Sequence, residues 1–363
     1  MSPPGRPKGE HRSAKREGFR MRLLRDRRNT LVIVVVAVVV CGVAPLRAVW
    51  LDMAVLTGIL SLIALSAGLS YGQAGILSMA QGAFAALGAY ATAVCSARYG
   101  LPAIAGLALA LTLPAAVAWG LARMVTRMAP LATALATLAL GTLIEIVARS
   151  WDTVTGGYVG IAGIPPIAGF EKAAVFNVLV WAIVCVAVLV YENLMRSAYG
   201  RALNGVRHDR TRAIADGVAV APLLSAMLAL SALMAGAGGW LYAHYITYMS
   251  PQSLDTNTSI SALLMAVVGG AGYILGPVLG TMVLNLAGKL LPAQEAQGLF
   301  YGGTLILILL VARDGILGAV DRLLRRRRGV HSVDAAKPGR SGAPAGNAAK
   351  GRSPVGAASK GAP

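Results

Sequence analysis

Between residues 31 and 312 the chain alternates apolar runs with short polar interruptions. Ten runs can be counted, at about 31–46, 51–71, 75–96, 101–121, 130–149, 174–191, 218–245, 259–272, 274–291 and 299–312. A helix needs roughly 20 mostly apolar residues to cross a bilayer, and only helices and closed barrels leave no backbone group unsatisfied in lipid. The pattern therefore predicts an all-α, polytopic membrane protein with about ten transmembrane helices over residues 30–313. The eighth and ninth runs are short and interrupted by Gly and Pro. Flanking them are a basic tail, 1–29, and a low-complexity basic tail, 314–363, neither with the apolar residues to offset the entropy of ordering.

Composition agrees: 56% of residues are hydrophobic and 13% charged, against about 25% charged in soluble domains. The formal charge of +18 raises nucleic acid as a partner, so its location matters. Of 33 Lys and Arg, 28 fall in 1–30, at Arg123 and Arg127, in 192–218 and in 312–363. Basic residues gathered beside apolar spans follow the positive-inside rule, and nucleic acid is the weaker reading. Ten crossings place both termini on one side, which the basic tails make the cytoplasm. The loops after crossings four and six then fall inside, and those after one, three, five, seven and nine outside. The run Arg325–Arg328 reads as cytoplasmic charge beside anionic lipid. The first apolar run fits a signal anchor better than a cleavable signal, with Met21 open as an alternative start. Cys41, Cys95 and Cys185 lie in apolar runs without metal-ligand spacing.

The most informative polar island is 197–217, SAYGRALNGVRHDRTRAIADG, between two uncharged spans. With Arg196 it brings five arginines, too many for lipid, and predicts a short helical segment at the membrane surface. The longest external loop, 150–173, is rich in turn residues and reads either as an ordered docking surface or as a plain connector. Segments 72–90 and 264–280 are Gly-bearing and five crossings apart, consistent with a five-plus-five internal repeat. Their glycines, among them Gly272, Gly276 and Gly280, serve either close helix packing or broken helices beside a substrate path.

Reactive chemistry is missing from the pattern. No G-x-x-x-x-G-K-S/T loop, no nucleophile elbow and no convergent histidines occur, so the chain reads as neither an enzyme nor an ATP binder, and no cofactor is expected. Glu145 is the main ionisable group within a span, and it stands four residues before Arg149, as an ion pair would require. Without a buried charge relay, the energy source is a partner protein.

Several blocks in order resemble the inner-membrane permeases of branched-chain amino-acid ABC importers. They include Gly75, Leu77, Ser78, Gly82–Phe84 and Gly88–Tyr90, then Trp151, Thr155–Gly157, Gly160 and Gly163–Pro165. In the second half they include Gly200–Leu203, Arg207, Asp209, Ala213, Gly217, Ser250–Pro251, Met265, Gly269–Gly270 and Gly276–Pro277. The resemblance covers most of 50–313. It implies a second, similar permease, two cytoplasmic ATPases and a periplasmic binding protein as partners. It makes 197–217 a coupling helix, with Gly200 for the entry turn, short Ala202, Ala213 and Ala215 for close contact, and Arg201, Arg207 and Asp209 for polar contact, ending at Gly217. It makes Thr155, Gly156, Gly157, Gly163 and Pro165 the binding-protein docking loop. Gln73, Ser78, Gln81, Phe84, Tyr90, Thr137 and Ser261 are the candidate path residues, with helix-to-helix hydrogen bonding as the plainer reading of each polar group.

The chain departs from the family pattern at His208, Arg210 and Ile214, where similar proteins carry glutamates. It departs again at Ser261 and Gln81, where an acidic residue and a histidine are common. The resemblance thus implies a permease subunit for an amino acid, a branched-chain or related apolar one. Urea or a short amide is the alternative cargo, and a self-sufficient channel or secondary carrier is the alternative class.

Overall fold

The computed structural model describes residues 28–290, Gly303, 315–319 and Arg322. The chain begins with α1, Arg28–Val43, and a short 3-10 turn. Next come α2, Ala48–Ala67, prolonged by a π turn to Gln73, and α3, Gln81–Ala93, prolonged by a second π turn to Arg98. α4, Ala103–Val125, and α5, Pro130–Ser150, complete the first half. A short helix α6, Asp152–Thr155, and strand β1, Ile161–Ala162, lie in the loop that follows. The second half holds α7, Ala173–Arg196, α8, Ala198–His208, α9, Arg210–Ala215, and α10, Val220–Ile246. It continues with β2, Tyr248–Met249, α11, Thr256–Gly269, and α12, Gly276–Leu290.

Six stretches among the described residues are long and apolar enough to cross a membrane: 29–46, α2 to residue 73, α4, α5, α7 and α10. The remaining expected runs form shorter helices among the described residues, the 15-residue α12 included. Run 75–96 becomes helix only at Gln81, and run 259–272 is the 14-residue α11, about 21 Å long at 1.5 Å per residue. That is short of a hydrocarbon core of about 30 Å. The tenth run, 299–312, and nearly all of both tails lie outside the described residues.

α3 and α10 form the centre. α10 packs most extensively against α4 and α3, and α3 is buried on nearly every side. Its Ala- and Gly-rich sequence suits that place, since small side chains let backbones approach where no hydrophobic force draws helices together in lipid. The close approach expected at the second Gly-bearing segment is present at two of its three glycines. Gly276 and Gly280 pack against the backbone of Gly269 and Met265, while Gly272 sits in an open turn.

Loops gather at two ends. At one, β1 pairs antiparallel with β2, the Tyr245 hydroxyl donates to Asp52 at 2.6 Å, and Arg98 donates to the Thr153 carbonyl. At the other, Thr30 bonds Glu192, Gln73 reaches the Gly272 carbonyl at 3.1 Å, and Arg210 donates to the Thr126 carbonyl at 2.6 Å. The loops after crossings one, three, five and seven thus share the strand end, and those after two, four and six share the opposite end.

Candidate translocation path and coupling surface

One segment loses helical structure after α2, another leads in from β2, and the helices that follow them meet near their N-termini. After α2, Gly75 takes a left-handed φ of 68°, which turns the chain out of the helix, and residues 75–80 run without regular structure to the start of α3. After β2, residues 250–255 lead likewise into α11, whose Asp255 caps the helix by accepting from the Thr258 amide at 3.1 Å. The Gly82 amide donates to Ser259 Oγ at 2.9 Å. A Cβ at Gly82 would stand 2.8 Å from the Asp255 carbonyl oxygen, closer than real Cβ atoms come, so this approach needs glycine.

The segment between Ser78 and Gly82 is held from three sides. The Met79 amide donates to Thr137 Oγ1 at 2.9 Å. Ser66 Oγ donates to Gln81 Oε1 at 2.8 Å, and Gln81 Nε2 donates to Ser70 Oγ at 3.1 Å. Ser66, Ser70, Ser78, Gln81 and Thr137 are all fully buried. A cavity lies on each side of this plug. Toward the strand end is a cleft of about 10 Å³, room for one water at most, bordered by Ala83, Tyr90, Glu145, Asp255 and Ser259. Toward the opposite end is a cavity of about 310 Å³ bordered by residues 74–77, Thr126, Thr133, Arg207 and Arg210. The plug therefore separates a nearly closed cleft from a roomier vestibule.

Of the seven expected path residues, four converge here: Ser78, Gln81, Thr137 and Tyr90, the last bordering the cleft with a hydroxyl that has no partner. Phe84 is wholly buried in the main apolar core, and Gln73 ties the end of α2 to the turn between α11 and α12. Ser261 is half-buried and borders neither cavity. Its neighbour Ser259 takes the position at the plug. Ser66, Ser70 and Asp255 also belong to the site. Ser66 and Ser70 had a legible signal, two hydroxyls one turn apart in an apolar span, but nothing in the sequence points them at Gln81.

The island is two helices rather than one. Asp209, extended at φ −153°, ends α8 and caps α9, accepting from Thr211 and Arg212 amides at 2.9 and 3.0 Å. Ser197 caps α8 from the Gly200 amide at 3.4 Å, and Gly200 is buried against the carbonyls of Leu194 and Met195. Leu203, Val206 and Ala213 face the protein's own core, so Ala213 is not on the outer face. Arg201, Arg207, His208, Ile214, Ala215 and Gly217 are exposed, and Ala202 is half-buried.

In the loop 150–173, Thr155 is buried and its hydroxyl donates to the Ala148 carbonyl at 2.6 Å. Gly156, Gly157 and Gly163 form left-handed turns, and the Pro165 carbonyl meets His244 Nδ1 at 2.9 Å. These residues build a platform. Its outward side chains are Trp151, Tyr158 and Val159. Arg149 pairs with Glu145 one turn back in α5, as expected, and joins α5 to the platform by lying over the Tyr158 ring at 5.7 Å. A second ionisable group went unforeseen. Glu192 is almost fully buried, pairs with Arg196 at 2.8 Å, and receives Thr30 at the start of α1.

Among the described residues, no cluster of His, Cys, Asp and Glu could hold a metal. Residues 49–309 match the family model for branched-chain amino-acid transport system permease components. The chain is 25% identical over 306 residues to the high-affinity branched-chain amino-acid transport permease LivM of Escherichia coli, covering 77% of this chain and 72% of that one. The LivM protein of Salmonella typhimurium matches with the same identity and coverage. The fructose import permease FrcC of Rhizobium meliloti is 28% identical over 148 residues, 39% of this chain and 41% of that one. No solved structure matches.

Proposed function

The chain belongs to the family of branched-chain amino-acid transport permeases, and from that premise we propose the path, the partners and the orientation of an ABC importer's permease subunit. Its cargo is a branched-chain amino acid, delivered by a periplasmic binding protein to the platform of Trp151, Tyr158 and Val159. Urea and self-sufficient carriage are not favoured by the family match.

The strand end faces the periplasm of an inner-membrane protein and the α8–α9 end faces the cytoplasm. Seven arginines support this: Arg123, Arg127, Arg196, Arg201, Arg207, Arg210 and Arg212 belong to the loops of the second end. Two cytoplasmic ATPases dock on the exposed face of α8 and α9, and a second, similar permease completes the membrane unit. Arg201 and Arg207 meet carboxylates or carbonyls of an ATPase, and movement of α8 reaches the plug through the vestibule that Arg207 and residues 74–77 both border.

The meeting of α3 and α11 at Gly82 and Ser259 carries this reading. Broken helices inside a bundle are tolerated where they line a path, and a pair of them in corresponding halves marks transporter sites. In proteoliposomes holding the complete importer, leucine uptake is expected to require both ATP and the binding protein. Reversing Arg201 and Arg207 to Glu is expected to release the ATPase from the co-purified complex and lower uptake at least about tenfold, the loss of one or two charged contacts. Uptake that persists without any ATPase would overturn the assignment.

A further inference from the structure

A line of hydrogen bonds leads from the polar island to the plug. At the island Arg210, the first residue of α9, donates from Nη2 to the Thr126 carbonyl at 2.6 Å. Thr126 closes the C-terminus of α4, and the carbonyl one residue before it, that of Val125, accepts from Thr133 Oγ1 at 3.2 Å. Two successive carbonyls of one turn are thus held, one by α9 and the other by α5. One turn further along α5, Thr137 Oγ1 donates to the Thr133 carbonyl and accepts the Met79 amide, each at 2.9 Å. Val125, Thr126, Thr133 and Thr137 are all buried. A surface helix is therefore joined to the non-helical segment inside the bundle through one turn of chain and one helix.

Little else fixes α5. It packs only lightly against α3, α4 and α11, whereas α10 is packed extensively against α3 and α4. A helix with few buried contacts follows a pull on its first turn at low cost. Arg210 is also a position where the chain departs from the family pattern. An ionised carboxylate there would have no N–H to give the Thr126 carbonyl, so the bond depends on this chain's own residue.

We propose that Arg210 is a positioning residue for transport, passing displacement of α9 to the turn between α4 and α5. Thr133 and Thr137 carry that displacement along α5 to the Met79 amide. When an ATPase shifts the island, the bond from Met79 to Thr137 opens and the segment 78–82 is released. The proposal rests on the permease reading above and deepens it, adding a route through α9 and α5 to the one through the vestibule.

The test uses the complete importer in proteoliposomes, with leucine uptake and binding-protein-stimulated ATP hydrolysis measured together and their ratio taken as the coupling. Arg210→Met keeps most of the side chain's length and removes every donor. It is expected to lower the leucine-to-ATP ratio about tenfold, the worth of one hydrogen bond from a charged group, while hydrolysis stays within about twofold. Arg210→Lys keeps a charged donor and is expected to hold the ratio within about threefold of the unsubstituted importer. Thr133→Val breaks the next link without stranding the Val125 carbonyl, which keeps the Met128 amide at 3.0 Å. The same loss of about tenfold is expected from it. Links in one line are not additive, so Arg210→Met and Thr133→Val together are expected to cost about tenfold, not about a hundredfold.

An additive loss in the double variant would overturn the line. So would an unchanged ratio in either single variant, or a loss in Arg210→Lys equal to that in Arg210→Met. Uptake and hydrolysis falling in parallel would make Arg210 an ATPase-docking residue and also overturn it. Where Arg210→Met does not assemble with the ATPases, Thr133→Val decides, because its side chain is buried inside the permease. Failure of the unsubstituted importer to move leucine would be seen before any variant is compared, and would remove the permease reading itself.

Discussion

Thr137 shows how one hydroxyl can pin a non-helical segment inside the bundle. It accepts the Met79 amide while donating to carbonyls one turn back in α5, and it is fully buried. Thr137→Val preserves the shape and strands that amide, at a cost of about 1–3 kcal/mol for an unsatisfied buried group. The expected result is a lower melting temperature for the solubilised protein and leucine leakage into vesicles without ATP. An unchanged melting temperature together with tight vesicles would show that Thr137 does not hold the plug. Thr137, Ser78 and Gln81 were legible as polar residues in apolar runs. Their partners were not, because Ser66, Ser70 and Ser259 come from α2 and α11, and sequence spacing carries no information about which hydroxyl faces which across a helix pair. Ser261 lies two residues from Ser259, a rotation of roughly 200° and nearly the opposite face of α11, so only Ser259 reaches Gly82.

At the scale of elements, the island shows how a charged interruption is built into two helices. A stretch with five arginines was bound to leave the lipid, but its division at Asp209 depends on a backbone turn stabilised by two amides at the start of α9. Asp209→Ala is expected to loosen α9 by about 1 kcal/mol, the usual worth of a cap. Hydrogen exchange should then quicken about fivefold across 210–216 and stay unchanged across 198–207. Equal acceleration in both helices would mean that α8 and α9 move as one unit. The two broken crossings make the same point. Their glycines were visible in sequence, and the choice between packing and path was open. For 72–90 the break proved real. In the second half the helix also breaks within 264–280, at 270–275 between α11 and α12, and Gly276 and Gly280 beyond the break pack against Gly269, Gly270 and Met265.

For the whole molecule, the orientation can be checked directly. With Cys41, Cys95 and Cys185 replaced, a cysteine at the exposed Tyr158 is expected to react with an impermeant maleimide added outside intact spheroplasts. One at the exposed His208 should react only after lysis. The reverse pattern would invert the importer and end the proposal for both loop ends. The apolar runs and the clustering of arginines determined the membrane class, the alternation of loops and the surface position of 197–217. These follow from the cost of placing charge and unsatisfied backbone in lipid, a cost paid residue by residue along the chain. Only the tertiary structure decided that α3 and α11 meet near their N-termini, that Ser259 receives the Gly82 amide, and that the Tyr90 hydroxyl is buried beside a narrow polar cleft. Those facts depend on helix rotation and on contacts between residues as far apart as Gly82 and Ser259, which packing sets and local sequence does not encode.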